Sequence, residues 1–336
     1  MKKVILLLLM ILPEVFTKFL LNLPSSSGVK IDPKQWLLCK LSPADILGEP
    51  GMEPEEVRKN IEITSGARIL PNTDKVFSRD HSLKTSGDHI TIREYFSAET
   101  EKSKEAIMYF HGGGWVVCSL ESHDQLCKFI CNYLGIRVFS VGYRLAPEHK
   151  YPIPLDDCYH AWDWLCCNFK DLGLKLEKVS VGGDSAGGHL ATTLCHKLLR
   201  ENYKFLPYSQ LLICPVIEPF ATYSSYKEFG EGFYLSSRAM AWFSDCYIPK
   251  EVERDDSCIW PLKARKWEGF PKVFMISAGF DVLSEEASYY SKKLNENGVN
   301  VSHKIYKNCI HDFPMFSFLP RPKRYFEECL DLYKAF

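Results

Sequence analysis

Beyond about residue 85, short runs of apolar residues alternate with longer stretches in which apolar positions recur at helical spacing. The apolar runs predict β-strands at His89–Phe96, Glu105–Phe110, Ile136–Val141, Lys178–Gly182, Gln210–Cys214, Lys272–Ser277 and Asn300–Tyr306. The other stretches predict helices at Ser122–Leu134, Leu155–Phe169, Ala186–Glu201, Ser284–Glu296 and Lys323–Ala335. Because strands that alternate with helices form crossover units, the pattern predicts an α/β fold with a mainly parallel sheet and helices on both faces.

Two segments depart from this alternation. Roughly the first 65 residues contain three helical stretches, separated by polar breaks. The stretch Phe220–Lys263 is rich in aromatic residues and contains no clear strand. We therefore expect residues 1–65 to form a helical cap segment. Residues 66–336 are expected to form the main α/β domain, with a cap insertion at about 220–263.

The amino terminus carries two lysines followed by nine apolar residues, Val4–Leu12, a pattern that resembles the start of a signal peptide. No A-x-A cleavage pattern follows, and a membrane span over Val4–Leu23 would place Glu14 and Lys18 inside the bilayer. We expect instead a helix that lies on the protein or on a membrane surface, with an export signal or an N-terminal anchor as the alternatives. The expected location is the cytoplasm, with residues 1–24 as the segment that would contact a membrane.

Composition narrows the class of protein further. Of the 336 residues, 46% are apolar and 25% are charged, as in an ordinary globular protein. The 41 Lys and Arg residues balance 42 Asp and Glu residues, and this balance argues against nucleic-acid binding, which requires a basic surface. The 13 cysteines are odd in number and scattered, which favours free thiols in a reducing compartment. No group of Cys and His has the spacing of a metal site.

The sequence Gly183-Asp184-Ser185-Ala186-Gly187 fits the G-x-S-x-G pattern of a nucleophile elbow. A predicted strand precedes it and a predicted helix begins at Ala186, which is the context that this motif requires. A sharp reversal of the chain there exposes the serine hydroxyl at the start of the helix. The pattern predicts that Ser185 is a catalytic nucleophile; the alternative is a glycine-rich turn without a catalytic role.

A second glycine-rich sequence, His111-Gly-Gly-Gly-Trp115, directly follows the predicted strand that ends at Phe110. Residues without a Cβ allow backbone N–H groups to approach a ligand closely. In α/β-hydrolases such a loop supplies hydrogen-bond donors to an oxyanion, together with the amide after the nucleophile, which is Ala186 here. A phosphate-binding loop is disfavoured because neither G-K-[ST] nor G-x-G-x-x-G is present.

A serine nucleophile needs a base, and the base needs a carboxylate that orients it. Because the chain order in this fold is Ser, acid, His, only His303 and His311 come late enough in the sequence. His303 lies within a predicted strand, whereas His311 lies in the loop after it and can reach the end of the sheet. Asp281 follows a predicted strand by a short turn, and we favour it as the acid over Asp312, the sequence neighbour of His311.

Together these residues resemble the hormone-sensitive lipase family of α/β-hydrolases, especially its bacterial-type carboxylesterases and arylacetamide-deacetylase-like members. The resemblance extends from about residue 30 to the end of the chain. The motifs that carry it are His111–Gly114, Tyr143–Glu148, Tyr151–Pro154, Gly182–Gly188, Glu231–Leu235, Met240–Phe243, Ala278–Leu283 and His311.

The resemblance implies a catalytic triad of Ser185, Asp281 and His311, a cap that covers the site, and no cofactor or metal. The oxyanion donors that it implies are Gly112, Gly113 and Ala186. One position departs from the family, in which a glycine usually follows the catalytic histidine. Asp312 stands there instead, and we expect it to affect the imidazole pKa or the turn of the loop rather than the class of reaction.

We expect a serine hydrolase that cleaves carboxylic esters with short- to medium-chain acyl or aryl groups. The aromatic cap favours small apolar substrates, with Trp115, Phe233 and Leu235 as pocket residues. An amide deacetylase or amidase with the same triad is one alternative. A non-catalytic small-molecule binder is another, which the presence of His311 disfavours. We expect a monomer or a homodimer.

Overall fold

The computed structural model describes residues 12–42, 46–65, 70, 73–252 and 256–336. The strands within these ranges are β1 Ser25–Ser26, β2 Val29–Lys30, β3 Phe77–Lys84, β4 His89–Phe96, β5 Ala106–Phe110, β6 Arg137–Gly142, β7 Val179–Asp184, β8 Ser209–Ile213, β9 Lys272–Phe280 and β10 Val301–Ile310. The helices are α1 Glu14–Leu20, α2 Pro33–Leu41, α3 Pro54–Ser65, α4 Asp124–Leu134, α5 Ile153–Asn168, α6 Ala186–Arg200, α7 Ser224–Glu228, α8 Ser237–Tyr247, α9 Ser284–Glu296 and α10 Pro320–Ala335.

One sheet organises the main domain. Among the described residues it contains eight strands, in the order β10-β9-β8-β7-β5-β6-β4-β3. The strands from β10 to β6 in this order are parallel to their neighbours, whereas β4 pairs antiparallel with β6, and β3 pairs antiparallel with β4. The α/β fold with a mainly parallel sheet is therefore confirmed.

The strand boundaries differ from the predicted ones in ways that matter for the site. Strand β3 was not predicted, because its residues are mostly polar and exposed, as is typical of a strand at the edge of a sheet. Strands β9 and β10 continue past their predicted ends at Ser277 and Tyr306, to Phe280 and Ile310. Because of these extensions, Asp281 and His311 are the first residues after β9 and β10, at the edge of the sheet where the carboxyl ends of the strands lie.

Helices cover both faces of the sheet. Successive residues of β5 point to opposite faces, and all five are buried. Ile107 and Tyr109 pack into an apolar cluster with α4 and α10, while Met108 and Phe110 belong to a second cluster with α5, α6 and α9. A strand that is apolar on both sides, as predicted, is thus a strand covered by helices on both sides.

The first helices pack near the carboxyl-terminal helix. The carboxylate of Asp32 caps α2 by accepting hydrogen bonds at 2.9 Å from the backbone N–H groups of Lys34 and Gln35. Arg321, near the start of α10, binds both Asp32 and Glu14 of α1. Much of the signal-like stretch lies outside the described residues, which begin at residue 12. Within the described ranges, we find no helix with the length and apolar character needed to cross a membrane.

Candidate active site

Three chemically important side chains each follow the carboxyl end of a strand. Ser185 comes directly after β7, Asp281 directly after β9, and His311 directly after β10. Because these strands belong to one parallel set, their carboxyl ends lie at the same edge of the sheet. The pairing of Ile310 with Phe280 then places Asp281 beside His311. The order and register of the strands therefore bring Ser185 and His311 together, although they are 126 positions apart in the sequence.

The backbone at Ser185 turns sharply between β7 and α6. Its φ of 51° and ψ of −119° are uncommon for a residue other than glycine. The turn is held because the N–H of Ser185 donates to the carbonyl of Ile213 at 2.8 Å and its own carbonyl accepts from Val216 at 3.1 Å. Gly187 permits α6 to pack closely against β5, since a Cβ there would collide with the carbonyl oxygen of Phe110. The strand, sharp turn and helix that the motif predicted are therefore present, with Ser185 at the turn.

The three side chains form a hydrogen-bonded chain. Ser185 Oγ lies 3.0 Å from His311 Nε2, and His311 Nδ1 lies 2.8 Å from Asp281 Oδ2. Asp281 Oδ1 accepts a further hydrogen bond from the N–H of Leu283 at 3.0 Å, which fixes the carboxylate. All three residues are buried. The order nucleophile, base and orienting acid is the arrangement that activates a serine hydroxyl.

A second carboxylate reaches the same imidazole. Asp312 Oδ2 lies 3.1 Å from His311 Nε2, the nitrogen that also faces Ser185. Burial lowers the pKa of His311, but the carboxylates of Asp281 and Asp312 outweigh burial and raise that pKa well above its usual range. Burial raises the pKa of Asp312 to about 6, against the opposing effect of His311. The sequence singled out Asp312 as a departure from the family, but it did not predict this contact.

The glycine loop differs in one respect from its prediction. Gly113 and Gly114 line the cavity beside Ser185, whereas Gly112 does not. The N–H of Gly112 is instead directed at His123 Nε2, at 3.4 Å. The structure thus replaces Gly112 by Gly114 among the residues that can present an N–H to an oxyanion. Ala186 is the first residue of α6, and N–H groups in the first turn of a helix have no intrahelical acceptor, so its N–H stays a predicted oxyanion donor.

Buried polar side chains support this loop from behind. Tyr109 donates its hydroxyl hydrogen to Asp184 Oδ1 at 2.7 Å, and His123 Nε2 lies 3.1 Å from Asp184 Oδ2. Burial raises the pKa of Asp184, but His123 and Tyr109 outweigh burial and leave the pKa below its ordinary value. Asp184 belongs to the G-x-S-x-G motif and could be identified from the sequence. His123 lies 61 residues from Asp184, and no sequence pattern indicated it.

The cavity beside Ser185 is small, with a volume of about 50 Å³. Its polar floor consists of the strand ends and the glycine loop. Its opposite wall is largely apolar and comes from both segments that departed from the strand–helix alternation. The wall residues from these segments are Ile46, Leu47, Ile61, Tyr234, Leu235 and Phe243. Leu235 is therefore where the sequence placed it, in the lining of the pocket.

The other two predicted pocket residues lie elsewhere. Trp115 is fully buried and stacks on Tyr247 of α8, with ring centroids 4.6 Å apart, outside the cavity lining. Phe233 stacks on Phe280 at the end of β9, at 5.6 Å. Both rings join residues 220–263 to the main domain rather than face the space beside Ser185. This corrects the prediction that Trp115 and Phe233 line the pocket: both rings pack against other aromatic rings instead, with Trp115 fully buried and Phe233 partly buried.

The remaining candidate ligand groups belong to the same site. Within the described ranges, Cys214, Asp281 and His311 are the only group of such side chains close enough together to share a metal ion. Burial raises the pKa of the Cys214 thiol well above its ordinary value, which makes it a poor ligand, since thiolates bind metals. Asp281 and His311 already bind each other.

His303, as expected from its strand position, lies in β10, with Nε2 2.8 Å from the hydroxyl of Ser277.

Comparison with known proteins gives the fold and the family of this chain. Residues 107–315 match a protein family described by the alpha/beta hydrolase fold. The chain is 32% identical to the ethyl acetate hydrolase of Pseudomonas putida over 276 residues, covering 81% of this chain and 86% of that protein. It is 31% identical to the carboxylic ester hydrolase LipN of Mycobacterium tuberculosis over 295 residues, covering 85% and 77% of the two chains.

The solved structures give the same result. A thermostable esterase from Pseudomonas putida superposes with a TM-score of 0.82 at 26% identity, covering 91% of this chain and 97% of that one. An ester hydrolase from the metagenome of Lake Arreo superposes with a TM-score of 0.78 at 30% identity, covering 86% and 93%. The chain belongs to the hormone-sensitive lipase family of α/β-hydrolases, a family of carboxylesterase-type enzymes.

Proposed function

We propose that this protein hydrolyses carboxylic esters with short- to medium-chain acyl or aryl groups, through a triad of Ser185, His311 and Asp281. The observation that carries the proposal is the hydrogen-bonded chain from Ser185 Oγ to Asp281 in the wall of a small cavity, with distances of 3.0 and 2.8 Å. Relatives named as ester hydrolases support the ester as the substrate class.

In acylation, Ser185 Oγ attacks the ester carbonyl and its proton moves to His311 Nε2. Asp281 accepts the hydrogen bond from Nδ1–H, which holds the imidazole in the correct tautomer and stabilises the imidazolium. The imidazolium then protonates the leaving alcohol. In deacylation, a water molecule attacks the acyl-enzyme, with His311 again accepting a proton, and the carboxylic acid leaves.

The negative charge that develops on the carbonyl oxygen needs fixed donors. We assign this role to the backbone N–H groups of Gly113, Gly114 and Ala186, which lie around the nucleophile at the start of α6. Donors of this kind act on charge that appears only in the transition state, and each is worth about 10²–10³ in kcat. The support from His123 and Asp184 behind the loop keeps the donors in place during the reaction.

The substrate preference follows from the cavity. Its volume of about 50 Å³ and its apolar wall suit a small acyl group beside Ser185. We propose that residues 1–65 and about 220–263 act together as the cap, because the described residues of both supply that wall. A long acyl chain would require the two segments to separate.

The test is turnover of p-nitrophenyl acetate, butyrate, octanoate and palmitate by the wild type and by Ser185→Ala. We expect kcat/KM to be highest for the shorter esters and to fall by about 10⁴–10⁶ in the variant. Ser288→Ala, a partly exposed serine of α9, serves as the matched control and should leave turnover unchanged. Full turnover by Ser185→Ala would remove this residue from its role. Comparison of an aryl acetate with the corresponding aryl acetamide separates esterase from amidase activity.

A further inference from the structure

His311 Nε2 has two oxygen neighbours at almost equal distances. Ser185 Oγ lies at 3.0 Å, and Asp312 Oδ2 lies at 3.1 Å. The backbone of Asp312 has φ 48° and ψ 38°, in the left-handed region that aspartate tolerates better than most residues. Its carboxylate lines the cavity beside the nucleophile. Asp312 therefore contacts the nitrogen that must accept the serine proton.

The contact between Asp312 and His311 requires a proton. A carboxylate oxygen and the unprotonated nitrogen of an imidazole are both hydrogen-bond acceptors, so they repel each other at 3.1 Å. The hydrogen on Nδ1 is already donated to Asp281, so it cannot also make the contact between Nε2 and Asp312 favourable. The contact is favourable either between an imidazolium and a carboxylate or between a neutral imidazole and a carboxylic acid. In both cases Nε2 is engaged with a proton and cannot accept one from Ser185.

The surroundings keep that proton in place. Oδ1 of Asp312 is buried and has no hydrogen-bond donor among the described residues. Besides His311, the titratable side chains that face Asp312 come from the sheet edge and from the start of α4; they are Tyr109, His123, Asp184, Cys214 and Asp281. Of these only His123 can carry a positive charge, and it already contacts Asp184.

The direction of the effect follows from these neighbours. Burial raises the pKa of Asp312 to about 6, and the two flanking carboxylates raise the pKa of His311 well above its usual range despite burial. Both shifts favour retention of the shared proton as pH rises. The pair therefore loses this proton at a higher pH than an imidazole that faces Asp281 alone.

We propose that Asp312 is a positioning residue that sets the pH range of catalysis: its carboxylate binds the proton at His311 Nε2 and withholds this nitrogen from Ser185 until the proton is released to solvent. The inference deepens the proposed function and rests on it wherever turnover is the readout. A glycine at this position, usual in related enzymes, would leave Nε2 to Ser185 alone.

The first test compares the pH dependence of kcat/KM between about pH 5 and 9 for the wild type, Asp312→Gly and Asp312→Asn, with p-nitrophenyl acetate as substrate. Removing a carboxylate this close to an imidazolium lowers the pKa of the imidazolium by about 1–3. On the acidic side of the profile, the pH at which kcat/KM reaches half of its maximum should therefore be lower in Asp312→Gly, by at least about one pH unit. The ratio of variant to wild-type activity should then be about ten times larger at pH 5 than at pH 8.

The two variants differ in a useful way. Glycine suits the left-handed backbone and removes the side chain, whereas asparagine keeps the shape without the charge. Asp312→Asn should lower the pH of this half-maximal point as well, but by less, because its amide oxygen can still accept a hydrogen bond from Nε2–H of the imidazolium. Asp171→Asn, an exposed residue in the turn after α5, is the matched control for loss of one negative charge. It should leave the pH profile unchanged.

A second measurement separates this inference from the proposed function. The pKa of His311 is read by NMR of the full chain carrying ¹⁵N-histidine, in Ser185→Ala and in Ser185→Ala/Asp312→Gly, with the His311 signal assigned from its loss in His311→Gln. This titration needs no turnover, so it decides the role of Asp312 even if the wild type hydrolyses no ester.

A lower His311 pKa without Asp312 supports the proposal, together with the matching shift of the kcat/KM profile. Titrations that coincide within about 0.2 pH units, or a pKa that rises, would overturn it. A purely structural role for Asp312 would lower the height of the activity profile without moving its position along the pH axis. If Asp312→Gly does not fold, the asparagine variant is judged by the same two outcomes.

Discussion

The two sides of the active-site cavity are built in different ways. The sheet side consists of residues at strand ends, such as Ser185, Asp281 and His311, held by hydrogen bonds of 2.8 to 3.0 Å. The cap side consists of apolar residues, such as Ile61, Leu235 and Phe243, held by packing. Hydrogen bonds fix direction and distance, whereas apolar contacts fix mainly shape and volume.

This difference assigns separate tasks to the two sides. In the proposed function, the sheet side holds the groups that move protons and bind the oxyanion, and its geometry depends on strand register. The cap side would set the space that an acyl chain can occupy. Substitutions on the sheet side should therefore reduce the rate for every substrate, and substitutions on the cap side should change the preference among substrates.

After Ser185→Ala, the largest expected effect is on the sheet side, at Asp281. Asp281→Asn keeps the size of the side chain but cannot stabilise the imidazolium and favours the wrong tautomer of His311. We expect kcat to fall by about 10⁴ for all chain lengths, with little change in KM. Steady-state kinetics with the p-nitrophenyl esters of increasing acyl length measures this fall in kcat. Asp171→Asn is again the control for the loss of one negative charge. A loss below about tenfold would contradict the assignment of Asp281.

A smaller loss is expected where the two sides touch, at Gly114. Its φ is +59°, and a Cβ there would run into the ring of Phe243 from α8. Gly114→Ala should displace the loop and lower kcat by about 10²–10³, the value of one oxyanion donor. Gly135→Ala is the matched control, with φ +69° and open space around the added Cβ. Gly135→Ala should lower the free energy of unfolding by about 1–2 kcal/mol and leave kcat unchanged. An equal loss of kcat in Gly114→Ala and Gly135→Ala would refute a specific role for Gly114.

The smallest effect is expected on the cap side, at Leu235. Leu235→Ala enlarges the pocket, so the ratio of kcat/KM for octanoate to that for acetate should rise about tenfold. Leu199→Ala, equally buried in α6 but outside the cavity lining, is the control. Both variants should lose about 2–5 kcal/mol of stability in thermal or urea unfolding. If Leu199→Ala changes the ratio to the same extent, the cap wall does not select the chain length.

The same contrast explains where sequence reasoning worked. The elbow at Ser185 could be predicted because its strand, turn and helix are contiguous in the sequence. The positions of Asp281 and His311 could be predicted because each follows an apolar run. Strand β3 was missed, since an exposed edge strand has no apolar pattern.

Errors in the site concern contacts between distant residues. Sequence adjacency to the glycine loop suggested a pocket position for Trp115, but the ring packs on Tyr247, which is far along the chain. Gly112 was preferred to Gly114 although nothing in a run of three glycines distinguishes them. The direction of the Gly112 N–H toward His123 distinguishes them, and that direction exists only in the folded chain.

The amino-acid sequence alone was enough to predict the α/β class, the order of most strands and helices, and the residue types at the strand ends. Apolar periodicity and turn chemistry are local properties, so contiguous residues encode them. The folded chain was needed to show which glycines line the cavity beside Ser185, which aromatic rings pack outside it, and that Asp312 contacts the same nitrogen as Ser185. These outcomes depend on strand register and on the packing of the cap, which bring together side chains that no local pattern relates.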